Sequence, residues 1–138
     1  MLHIILASML AVAPLAAINA APQTEHSQHT AISAAQLKAW YDQGKPMAVI
    51  DARSAKYFDG TLLPNARWLS VESSDNEIIA ALPSKKEVIV VYCASTTCPA
   101  SGWLYDKLIT MGYTTVYEYH EGIQDWIKQG FPTTKHTK

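Results

Sequence analysis

The sequence predicts an α/β domain of three layers, a mainly parallel sheet with helices on both faces. Three observations predict it. From residue 34 onward, short apolar runs rich in β-branched residues alternate with stretches of helical spacing. The apolar runs are continuous rather than alternating, as in strands buried on both faces. Gly or Pro marks most of the junctions.

Ser33 is placed to cap a helix over Ala34–Tyr41, with Ala34, Leu37 and Tyr41 on one face. Gly44 and Pro46 stop it. Met47–Ile50 reads as a buried strand that ends in Asp51-Ala52-Arg53. A helical turn around Ala55–Phe58 closes at Gly60, Pro64-Asn65 makes a turn, and Ala66–Leu69 is a strand. Ser73 or Ser74 caps a helix running to Leu82, with Asp75 and Glu77 in its first turn, where the helix dipole favours acid. Pro83 ends it. Glu87–Tyr92 is the strongest strand and Pro99–Met111 the strongest helix, with Ala100, Leu104, Leu108 and Met111 on one face. Gly112 suits its left-handed C-cap. Thr114–Tyr119 is a strand and Ile123–Gln129 a last helix before Gly130.

The chain has 138 residues, 49% of them hydrophobic, which suits one domain with a core that needs no staples. Its formal charge is −1 and its lysines are scattered, so it carries no nucleic-acid footprint. Residues 1–21 differ from the rest. Ile4–Ile18 is uncharged and too short to span a bilayer, and small residues follow at Ala20 and Ala21. This reads as a signal peptide, with an uncleaved anchor as the alternative. The expectation is an exported, periplasmic protein with no stable membrane insertion once the leader is cut. Residues 22–30 read as a flexible polar linker. His26 and His29 stand three apart, a spacing that suits a metal, but a polar lead-in accounts for both. The domain is placed at 31–132 and a frayed polar tail at 133–138.

Both cysteines of the chain lie in one stretch, "VVYCASTTCPAS" (Val90–Ser101), between the best strand and the best helix. In parallel sheets, ligands bind beyond the carboxyl ends of the strands, and Cys93 sits there. A turn into a helix N-terminus offers unpaired N–H groups and partial positive charge, which stabilise a thiolate. Pro99 suits a helix start. Cys93 is therefore a candidate nucleophile, against the plainer reading of a buried structural thiol. The next residues, Ala94, Ser95, Thr96 and Thr97, are small or hydroxylic, so the backbone can curl tightly around a central sulfur. No Arg or Lys lies in the loop. Cys98 is either a resolving thiol for Cys93 or a small residue filling the helix start; a bridge needs Cα atoms within about 7 Å.

Three stretches together resemble a single-domain rhodanese, of the sulfurtransferase family. "VIDARSAKYFDGTLLPNA" (Val49–Ala66) is similar to the family's Asp-x-Arg segment and its loop into a Pro-x-Ala turn. "VVYCASTTCPAS" resembles the active-site strand and loop, in the variant that reads Cys-x-x-x-x-Cys. "MGYTTVYEYHEGIQDWIKQGFP" (Met111–Pro132) resembles the closing strand, Gly-containing turn and Trp helix. The resemblance implies a persulfide cycle. Cys93 takes sulfur from a donor such as thiosulfate or a persulfide. N–H groups from Ala94 to Cys98 cradle the anion, and a thiol or cyanide removes the sulfur. It implies no metal and no organic cofactor, and it allows a protein thiol or persulfide as partner. This chain departs from the pattern in lacking a basic residue and a glycine in the loop, and in having Glu121 where the first of two glycines is common. Related phosphatases need arginine six positions after the cysteine; Pro99 stands there, which argues against that activity.

Asp51 and Arg53 read as loop-pinning support near the site, with anion steering by Arg53 as the alternative. His120, at a strand end, is either a proton gate or idle on the surface. Trp40, Trp68, Trp103 and Trp126 read as packing aromatics. Two other functions compete with sulfur transfer. One is a thiol–disulfide redox or sulfur-relay protein using both cysteines. The other is a catalytically silent module that binds a protein partner.

Overall fold

A computed structural model describes residues 28–137. The leader and most of the linker lie outside the described residues.

Four strands form one parallel sheet. They are β1 (Ala48–Asp51), β3 (Arg67–Trp68), β4 (Ile89–Tyr92) and β5 (Val116–Tyr119), in the order β3-β1-β4-β5. Every residue of β1 and β4 is buried, which is why these segments read as unbroken apolar runs. β4 pairs with β1 on one side, Asp51 opposite Tyr92, and with β5 on the other, Tyr92 opposite Tyr119.

Period-two alternation divides the core. Ile89, Val91 and Cys93 face one layer, packed with Ile78 of α2 (Asp75–Ala81) and with Leu104 and Leu108 of α3 (Ala100–Thr110). Val90 and Tyr92 face the other, packed with Leu37 of α1 (Ala34–Asp42) and with Ile123 and Trp126 of α4 (Gly122–Lys128). The caps follow the sequence. Ser33 accepts from Gln36 N, and Ser74 with Glu77 forms a reciprocal capping box on α2. Among the described residues no helix is long and apolar enough to cross a membrane.

Three expectations need correction. The segment 133–138, read as a frayed tail, contains β6 (Thr134–Lys135), antiparallel to β2 (Thr61–Leu62). His136 N also donates to Gly60 O at 2.8 Å. Two-residue strands are too short for a periodic signal, so neither could be read from the sequence. The linker 22–30 ends inside the fold. Glu118 N donates to Thr30 O at 2.8 Å and Ile32 N donates to Glu118 O at 3.0 Å, covering the outer edge of β5. Backbone pairing of this kind leaves no trace in composition. Trp103, read as a packing aromatic, is 61% exposed on α3.

Candidate active site

Cys93 is the first residue after β4 and is fully buried. Its loop is held from behind by the start of α4. Ile123 N donates to Cys93 O and Gln124 N to Ala94 O, each at 3.0 Å. That approach is why residue 122 is glycine: its φ is +74°, and a Cβ there would lie 2.6 Å from Cys93 O. The loop is also braced within itself. Cys98 N donates to Ser95 O at 3.0 Å, and the Ser95 and Thr97 hydroxyls bond at 3.1 Å. Among the described residues, the N–H groups of Ala94, Ser95, Thr96 and Thr97 have no protein acceptor. A buried sulfur at the head of such a loop has the donors an anion needs.

Cys93 and Cys98 are joined by a disulfide, their Cα atoms 6.2 Å apart. The two cysteines do not share an environment. Cys93 belongs to the core, whereas Cys98 is half-buried and lines an open cavity of about 480 Å³. Thr96, Thr97 and Pro99 continue the same wall; Trp103, on the next turn, forms its rim.

The far wall holds residues the sequence reading did not bring together. Glu118, on β5, is buried and accepts from Ser101 Oγ at 2.7 Å. His29 Nδ1 lies 2.6 Å from Glu118 Oε2, and His29 Nε2 lies 3.0 Å from Asp106 Oδ1. Gly102 makes room for this ring: a Cβ there would approach it to 3.1 Å. Burial lowers the His29 pKa, but the hydrogen bonds and charges of Glu118 and Asp106 outweigh it and hold the imidazole above its ordinary value. Burial raises Glu118, and the bonds from Ser101 and His29, with the charges of His29 and His120, outweigh it and hold the carboxyl below its ordinary value. His120 Nδ1 lies 3.5 Å from Glu118 Oε1, and the ring is more than half exposed to the cavity. One signal for this cluster was present in the sequence. Glu118 is a lone charge in an aromatic strand, and period two puts Val116, Glu118 and His120 on one face.

Asp51 and Arg53 sit one strand away, both buried. Arg53 Nε and Nη2 donate to the Asp51 carboxylate, Nη2 also to Thr61 O at 2.6 Å, and Nη1 to Asp59 at 3.2 Å. The guanidinium is thus committed to the loop around β2 and does not line the cavity. Among the described residues no group of three or more His, Cys, Asp or Glu is placed to hold a metal.

Residues 33–129 match the family model for the rhodanese-like domain. The chain belongs to this family. The rhodanese-like fold recurs in solved structures. The BH2092 protein of Bacillus halodurans superposes with a TM-score of 0.69 at 23% identity, covering 77% of each chain. A thiosulfate sulfurtransferase of Pseudomonas aeruginosa superposes at 0.66 with 15% identity; 80% of this chain covers 21% of that larger one. A rhodanese from E. coli, solved with anions, superposes at 0.51 with 25% identity, covering 65% of this chain and 99% of that one. No curated protein matches the chain in sequence. The candidate site in this domain is the strand-end Cys93 and its loop, which the disulfide to Cys98 closes on itself.

Proposed function

We propose that this rhodanese-like protein is a sulfurtransferase that carries sulfane sulfur as a persulfide on Cys93. The observation that supports it is the placement of Cys93 at the carboxyl end of the central strand, in a loop whose N–H groups from Ala94 to Thr97 have no acceptor among the described residues. With the disulfide reduced, the Cys93 thiolate attacks the outer sulfur of a donor such as thiosulfate or a persulfide. The donor's S–S bond breaks and sulfite or a thiolate leaves. The new persulfide anion rests among the loop donors. A thiol or cyanide then attacks the terminal sulfur, and the Cys93 thiolate leaves. If the leader at residues 1–21 exports the protein, the cycle runs where disulfides persist, and the closed form is the resting state.

The Cys93–Cys98 disulfide favours a second reading, a redox protein that cycles the two thiols. Intact mass of the protein decides between them, taken as isolated, after reduction, and after reduction plus thiosulfate or a persulfide donor. Gain of one sulfur atom after reduction, lost in Cys93→Ser, supports transfer. No gain from either donor, with a reversible change of two hydrogens, overturns it in favour of the redox reading.

A further inference from the structure

The disulfide presents its two sulfurs unequally. Cys93 is fully buried and does not line the cavity; Cys98 does. An attacking thiolate approaches a disulfide along the S–S axis, from beyond the sulfur it attacks. The open space lies beside Cys98, and the leaving sulfur on that approach is Cys93. Cys93 is also the better leaving group, because the loop donors and the start of α3 stabilise its thiolate.

The charged side chains on the cavity wall do not favour an anion at its mouth. Among the described residues, no lysine or arginine lines it. His29 has both ring nitrogens on carboxylates, Glu118 and Asp106, and His120 faces Glu118 as well. Asp106 remains largely exposed at the mouth. Among the described residues, every positive group on the wall is thus opposed by a carboxylate, and none of them is left free for a carboxylate or sulfonate on an incoming molecule.

We propose that the disulfide is opened from this cavity, at Cys98, by a thiol that bears no negative charge near its sulfur. A thiol RSH first ionises to solvent. Its thiolate bonds to Cys98 Sγ, the Cys93–Cys98 bond breaks, and Cys93 leaves with the electron pair as thiolate. A second RS⁻ attacks the R sulfur of the mixed disulfide, releasing RSSR and the Cys98 thiolate. The protein gains two electrons, the two thiols lose two, and the two protons shed by RSH are those the cysteines rebind. The proposal rests on the sulfurtransferase reading only in giving the freed Cys93 a use. The order of attack stands without it.

The test uses the oxidised full chain and three monothiols: cysteamine (cationic), 2-mercaptoethanol (neutral) and 2-mercaptoethanesulfonate (anionic). Rates of opening are compared at equal thiolate concentration, each divided by the same thiolate's rate with a small neutral disulfide, which removes its intrinsic nucleophilicity. Samples are acid-quenched early, alkylated, and the two cysteines mapped by fragment mass. The adduct is expected on Cys98 and the alkyl group on Cys93. The expected rate order is cationic, neutral, anionic, with steps of about fivefold, the size of one unit-charge contact near 4 Å in water. High salt compresses the order, and Asp106→Asn, an exposed substitution, narrows it. An adduct mapped to Cys93, or an anionic thiol as fast as the cationic one, overturns the proposal. Sulfur uptake by the opened protein is read separately, so failure of transfer leaves the opening result intact.

Discussion

Cys98 sets the state in which Cys93 rests. The disulfide ties up the proposed nucleophile, so the wild-type protein after exposure to air should take up no sulfur until a reductant is added. In Cys98→Ser that requirement should vanish, with uptake on Cys93 retained; equal uptake by air-exposed wild type with and without reductant would sink the idea. His29 makes a separate prediction about stability. Its imidazole is held above the ordinary 6.5, so its contribution is complete below pH 6.5 and is lost as pH rises through the folded value. Glu118 is held below the ordinary 4.5, so its contribution is complete above pH 4.5 and is lost as pH falls through the folded value. The pair therefore contributes most between pH 4.5 and 6.5. His29 is partly solvated, so the effect is small, a few degrees in Tm. Thermal melts from pH 5 to 9 should show a decline above 6.5 that His29→Gln flattens. An unchanged slope in that variant would detach His29 from the stability of the site.

At the scale of elements, the site depends on how α4 meets the loop. Its first N–H groups are spent on Cys93 O and Ala94 O, which fixes the loop backbone while leaving its own donors free. Gly122→Ala puts a Cβ onto that contact at a positive φ, so both conformation and packing resist it. The expected cost is at least about 2 kcal/mol, from left-handed strain plus displacement of the loop. Urea denaturation measures the first part and the sulfur-uptake rate of the reduced variant the second. A variant as stable and as fast as wild type would remove α4 from the account. The same contact shows what could be read beforehand. Cys93, the strand before it and the helix after it were legible, because burial on both faces and a 3.6-residue period write themselves into composition. The cavity wall was not. Glu118, His29, Ser101 and Asp106 come from β5, the lead-in and α3, and only the crossover from α3 to β5 with the lead-in laid along its edge brings them together. His120 was legible as a strand-end residue, but its carboxylate neighbour was not.

For the whole molecule, both ends of the described chain are tied to the domain by backbone pairing. The lead-in pairs with the outer edge of β5 through Thr30 and Ile32. At the C-terminal end, β6 pairs with β2 in a separate two-stranded sheet, and Lys135 Nζ donates to Thr61 Oγ1 at 2.7 Å. That second pairing bears on the buried ion pair. Arg53 holds Thr61 O, and Thr61 is the residue that β6 braces, so the tail acts through β2 on the Asp51–Arg53 support next to Cys93. Removing residues 133–138 leaves the core clusters intact, because none of their members lies in that segment. The loss is then a few exposed hydrogen bonds, each worth about 1 kcal/mol net, rather than the 3–5 kcal/mol, roughly, of a core truncation such as Trp126→Ala. Urea curves of the two variants should differ by that margin. If the tail deletion matched Trp126→Ala, the β2–β6 pair would be part of the cooperative core and not a strap across its margin.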